Sequence, residues 1–236
     1  MDKKHNDNRC EGCIIRQLNS LNTLSKDDLS KISDAKKEVH FNKGEQVFIE
    51  GQKLKGIYCI KSGNTKLSKI SDNGNSHIVK VAGKGELLGK RSLISEGSTN
   101  LDAVALTDLE MCFIPKEKFV ELINKKSFND SIIKNMANEL LRADNEIVNL
   151  AQKSVIQRLS HVLIYLSDKF GNDSEGFISI YLKRNEIADL IGTSKEGCIR
   201  MLSSFKKKKI IEIKGKKIKL LNKDSLYNID VGLIKI

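Results

Sequence analysis

Two groups of side chains in this 236-residue sequence have the types and spacing for chemistry. Glu196 and Arg200 sit four apart in KRNEIADLIGTSKEGCIRMLSSFKKKK (183–209), which makes them neighbours on one face of a helix. An arginine there can donate to guanine O6 and N7, and a glutamate can accept from cytosine N4. The same spacing also suits an ordinary exposed ion pair, which is worth little. Cys10 and Cys13 place two thiols one turn apart, close enough for both to reach one metal or cluster. A single CxxC is also a redox pair, and Cys59 and Cys112 also read as small buried hydrophobes. The histidines, His5, His40, His77 and His161, are scattered. A cupin-type metal enzyme needs them clustered, so no residue is assigned a catalytic role.

The elements that must position Glu196 and Arg200 form a helix-turn-helix. Ile187, Leu190 and Ile191 put apolar groups on one side of a short helix, and Gly192 ends it because glycine takes the left-handed position cheaply. Thr193 and Glu196 have the spacing of a capping box that starts the second helix. Cys198, Met201, Leu202 and Phe205 then recur at helical intervals as a buried stripe. Lys195, Glu196, Ile199, Arg200 and Ser203 are left facing outward, and with Thr193 and Ser194 they form the expected contact set for double-stranded DNA. Ile210 to Leu220 alternates on either side of Lys214-Gly215-Lys216, as a hairpin wing would. From Lys183 onward fourteen Lys and Arg face six Asp and Glu, so +8 of the net +11 is concentrated where phosphates would be met.

The rest of the chain divides by texture. Ser25 to Ile32 reads as a short capped helix. Between Val39 and Pro115, short runs rich in Val, Ile, Phe and Tyr are broken by glycines, which predicts a small antiparallel barrel or jelly roll. Ser127 to Gln152 is helical, and Ile133, Met136, Leu140, Ala143, Ile147 and Leu150 alternate by three and four, the seam of a helix that pairs with a second copy of itself. Val155 to Phe170 predicts a further helix ending at Gly171. The fold class is therefore α+β, with a sensor domain over 1–126, a dimerisation helix over 127–152 and a winged helix-turn-helix over 153–236. With 39% hydrophobic and 30% charged residues and no apolar run of spanning length, a cytoplasmic protein is expected, and its five cysteines are then free thiols or ligands instead of disulfides.

In this order of parts the chain resembles the CRP/FNR family of bacterial transcription regulators over nearly its full length. The resemblance is carried by FNKGEQVFIEGQ followed by IYCIKSG, by GELLG, and by RNEIADLIGTSKEGCIRML, in which Glu196 and Arg200 fall on the family's base-reading pair. It implies a cyclic-nucleotide-binding-like sensor domain, a homodimer on a pseudo-palindromic operator, and RNA polymerase as a partner. Ile199 stands where the family has a small or polar contact residue. The cyclic-nucleotide branch grips its ligand with a glutamate and, about ten residues on, an arginine. Here those places hold Lys90 and Ser98-Thr99-Asn100-Leu101, so cAMP is not the expected effector. The oxygen-sensing branch binds an iron-sulfur cluster. Cys10, Cys13 and Cys112 match its cysteines, Asn19 falls where one is lost, and Cys59 would replace it if its strand lies beside that of Cys112. Two alternatives stay open: a cofactor-free redox regulator using Cys10 and Cys13, and a small-molecule-binding barrel enzyme.

Overall fold

The computed structural model describes residues 9–234, so His5 lies outside the described residues. The chain forms two compact units, one running through Lys69 and from Val79 to Leu140, the other comprising Ile70–Ile78 and Leu141 onward.

In the first unit, Ser25 accepts from the Asp28 amide and so starts α1 (Lys26–Ala35), which ends three residues beyond the Ile32 that the sequence pattern marks. Eight strands follow: β1 (Lys37–Phe41), β2 (Gln46–Phe48), β3 (Gly56–Ser62), β4 (Thr65–Ile70), β5 (Ser76–Ala82), β6 (Leu87–Leu88), β7 (Asp102–Ala105) and β8 (Leu109–Pro115). They form two four-stranded sheets, ordered β1-β8-β3-β6 and β2-β7-β4-β5, a jelly-roll-like arrangement instead of a single closed barrel. Ile57, Ile60, Ala103, Met111 and Ile114 are among the residues that fill the core. At Gly56 a Cβ would come within 2.2 Å of the Ile114 carbonyl, so β3 and β8 can close up only around a glycine. The short helix α2 (Lys90–Ile94) follows Gly89, and α3 (Lys116–Ile123), unforeseen in the sequence, follows Pro115. Phe119 of α3 meets Phe128 edge-on, with centroids 6.2 Å apart.

The long helix α4 runs Lys126–Gln152, one residue earlier than the pattern predicts. Phe128 and Ile132 are buried, whereas Ile133, Leu140, Leu141, Ile147 and Val148 stand exposed and Met136 is half-buried.

The second unit contains α5 (Val155–Phe170), α6 (Arg184–Ile191), α7 (Lys195–Lys207), the hairpin β9 (Ile211–Lys214) and β10 (Lys217–Leu220), and α8 (Lys223–Asp230). Leu159, Leu163 and Leu166 bury one stripe of α5, and α8, also unforeseen, packs on that helix through Leu226 and Ile229. Among the described residues no helix is long and apolar enough to cross a membrane.

Candidate nucleic-acid interface and thiol cluster

Gly192 ends α6 at φ 62 and ψ 57, the left-handed turn expected of it. The cap of α7 differs from the expectation. Ser194, not Thr193, is the N-cap, and its Oγ accepts from the Gly197 amide at 3.1 Å. Thr193 lies over Gly197 instead, where an added Cβ would sit 2.9 Å from the threonine hydroxyl. The turn is therefore one residue longer than a Thr193–Glu196 box allows, and Glu196 is left facing solvent. Cys198, Leu202 and Phe205 are fully buried and Met201 is half-buried, as the stripe predicts. Burial pushes the Cys198 thiol up to about 11, so it behaves as core packing.

The opposite side of α7 presents Lys195, Glu196, Ile199, Arg200 and Ser203, all exposed. The i,i+4 ion pair between Glu196 and Arg200 is not formed, and among the described residues neither group is engaged by another side chain. Their hydrogen-bonding capacity faces outward. The two-residue turn of the wing brings Gly215 beside α6, where Arg184 donates to its carbonyl at 2.9 Å. Asp173 braces the wing from behind, accepting from Lys217 at 3.0 Å and from Tyr181 at 3.1 Å. Those hydrogen bonds hold its carboxyl down at about 2.

In the first unit, β3 and β8 pair antiparallel with Cys59 directly opposite Cys112. Against them lies the N-terminal segment. It is pinned to α1 by Ser33, whose Oγ accepts from the Cys10 amide at 2.7 Å and donates to Glu11 at 2.6 Å. Cys10, Cys59 and Cys112 are buried and Cys13 is partly exposed, all in one core. Asn19, near which the resemblance implies a cysteine that this chain lacks, donates to the Cys59 sulfur at 3.5 Å and to the Gly85 carbonyl at 2.9 Å. Burial pushes the Cys59 thiol up to about 12, with the other three cysteines adding to the rise. Cys10 and Cys112 are also raised by burial, opposed by the Lys36 ammonium, which stands 3.6 Å from the Cys112 sulfur. Among the described residues no three His, Cys, Asp or Glu are gathered for a single metal ion. The four thiols nevertheless belong to one core, with the Lys36 ammonium beside Cys112 to offset thiolate charge, which is the donor chemistry an iron-sulfur cluster would need.

A cleft in the same unit brings Gly89-Lys90 and Thr99-Asn100-Leu101 together, as the resemblance implies for an effector site. Here it contains a carboxylate that sequence reasoning missed. Glu139 of α4 accepts from Lys80 at 2.9 Å and from Lys90 at 3.2 Å, and Arg91 approaches its second oxygen at 3.4 Å. Burial would raise the Glu139 carboxyl, but the two ammonium groups outweigh it and hold it down at about 2.

Comparison with known proteins matches a cyclic nucleotide-binding domain over residues 38–126 and a Crp-like helix-turn-helix domain over residues 157–229. The fumarate and nitrate reduction regulatory protein of Vibrio cholerae is 30% identical over 228 residues, spanning 93% of this chain and 89% of its own length. Among solved structures, FixK2 from Bradyrhizobium japonicum superposes with a TM-score of 0.75 at 22% identity, covering 83% of this chain and 97% of its own. A transcriptional regulator of the Crp/Fnr family from Eubacterium rectale superposes at 0.73 with 19% identity, covering 90% of this chain and 97% of its own.

Proposed function

Because the chain belongs to the CRP/FNR family of transcription regulators, DNA-binding proteins and not enzymes, we propose that it is a cytoplasmic homodimer whose thiol cluster reports redox state or oxygen to a two-fold symmetric operator. The observation that carries the sensory half is the placement of Cys59. Its sulfur lies opposite Cys112, beside the N-terminal CxxC and against the Asn19 amide, near which the resemblance implies a cysteine that this chain lacks. Cys59 thus supplies the fourth thiol to a set completed by Cys10, Cys13 and Cys112. An iron-sulfur cluster on these four would supply oxygen-labile chemistry. Its ligands join the N-terminal segment to β3 and β8, so their state bears on how that segment is seated. Contact with RNA polymerase follows as the family's mode of action.

Anaerobic reconstitution tests this reading. Stoichiometric iron and sulfide, lost in Cys10→Ser, Cys59→Ser and Cys112→Ser alike and coupled to operator affinity on exposure to air, is the expected result. Retention of the cluster in Cys59→Ser excludes that residue as a ligand. Colourless protein with full operator affinity excludes the cluster and leaves the second reading, a Cys10–Cys13 dithiol, which the partial exposure of Cys13 favours.

A further inference from the structure

The last carbonyls of an α-helix have no intrahelical donor and carry the negative end of its dipole. Two such ends meet near the start of α5. α4 finishes at Gln152 and α6 at Ile191, and a Cβ on Gly192 would lie 3.6 Å from Leu150, so the end of the long helix touches the turn of the helix-turn-helix. Arg158, in the first turn of α5, fills the junction. Its Nη1 donates to the Lys153 carbonyl at 2.7 Å and to the Leu150 carbonyl at 3.3 Å. Its Nε donates to the Ile191 carbonyl at 2.7 Å, and its Nη2 to the Gly192 carbonyl at 3.3 Å. One planar cation thus holds the C-terminal ends of both helices.

We propose that Arg158 is the positioning residue that sets the angle at which the helix-turn-helix is carried on α4. It touches no base. Its effect is geometric, and it rests on the reading of α4 as the dimer helix. Two recognition helices must lie roughly one DNA turn, about 34 Å, apart to read both half-sites. A small rotation at the joint moves the distant α7 out of register, whereas a single helix-turn-helix on a single half-site is indifferent to that angle. The fork of a guanidinium is required because one ammonium cannot reach carbonyls on two helices in fixed directions.

The test uses a palindromic duplex selected from random DNA by the full-length wild-type protein, the same duplex cut to one half-site, and versions with the spacing changed by one base pair. Binding and sedimentation are measured for wild type, Arg158→Lys and Arg158→Ala. For both variants the expected result is a loss of about tenfold or more in the preference for the palindrome over the half-site, and a weakened spacing preference, with half-site affinity within about twofold and the dimer intact. Arg158→Lys guards against a folding defect in the alanine variant. A lysine variant with the wild-type ratio and spacing preference overturns the proposal. So does an equal loss on half-site and palindrome, which marks a merely structural role. A wild-type protein that is monomeric, or that shows no preference for the palindrome, overturns the dimer reading and this inference with it.

Discussion

Arg200 and Lys206 to Lys209 belong to one helix and its end, yet they should do different work. Arg200 projects from the exposed face of α7 with its guanidinium unengaged, while the lysines crowd the helix's last turn and the chain just beyond it. Arg200→Ala should therefore lose about 1 to 3 kcal/mol on the selected operator and relax discrimination at one base pair. Replacing two of the lysines should weaken all duplexes alike and flatten the salt dependence by roughly one unit of slope per lost phosphate contact. Competition binding against random DNA over a salt series separates the two. An equal loss on specific and random DNA for Arg200→Ala would refute its role. At this scale the outward face of α7, the left-handed Gly192 and the buried stripe were legible because each follows from local spacing along one helix. Arg158, Glu139 and the contact of Asn19 with Cys59 were not. Their partners lie 5 to 59 positions away, reached through side-chain geometry that periodicity does not encode.

At the scale of elements, two clamps hold α4. Towards its middle, Glu139 ties it to Lys80 and Lys90 of the first unit. This internal carboxylate holds the helix to the sheets by pairing with both ammonium groups. Glu139→Gln should lower stability by about 3 kcal/mol, because it leaves buried cations under-compensated. Since the folded carboxyl lies at about 2, below its ordinary 4.5, this contribution is complete above roughly pH 4.5 and is lost as pH falls towards 2. Thermal melts of both proteins from neutral to acid pH should converge at the acid end, and parallel curves would refute the assignment. The second clamp is His161 of α5, 3.3 Å from Glu146 of α4 and 3.3 Å from Asp230 of α8, which Lys153 also holds at 2.6 Å. The hydrogen bond to Glu146, chiefly, and that to Asp230 raise the His161 pKa against burial. Its stabilisation is then present below the ordinary histidine pKa and fades as pH rises through the folded value. A decline of about 1 kcal/mol across that range, absent in His161→Gln, is the expected outcome of chemical denaturation at stepped pH. The strands, α5 and the wing were readable from alternation and turn residues, whereas α3 and α8 were hidden. Each spans only two turns, and neither is followed directly by a glycine as the equally short α6 is.

For the whole molecule, what matters is the apolar face that one chain leaves uncovered. Between Ile133 and Leu150, Leu140 and Ile147 are each 64% exposed and Leu141 is 61% exposed, with Ile133, Val148 and Leu150 exposed beside them. Seventeen steps of helix make this stripe roughly 26 Å long. Burying one such side chain is worth about 1.5 to 3 kcal/mol, so several of them provide enough to assemble two copies. The inward positions carry no charge, and Ala143 allows close approach of the two helices, so nothing at the seam opposes pairing. The protein should accordingly be a dimer with or without a cofactor, and a signal must act by reorienting domains, not by assembling them. Leu140→Asp, which places two carboxylates face to face at the centre of the seam, should sediment as a monomer at micromolar concentration and bind the palindrome no better than a half-site, while its melting transition stays cooperative. A Leu140→Asp protein that remains dimeric would move the interface elsewhere. A wild-type monomer that a ligand converts to a dimer would replace reorientation with assembly as the switch.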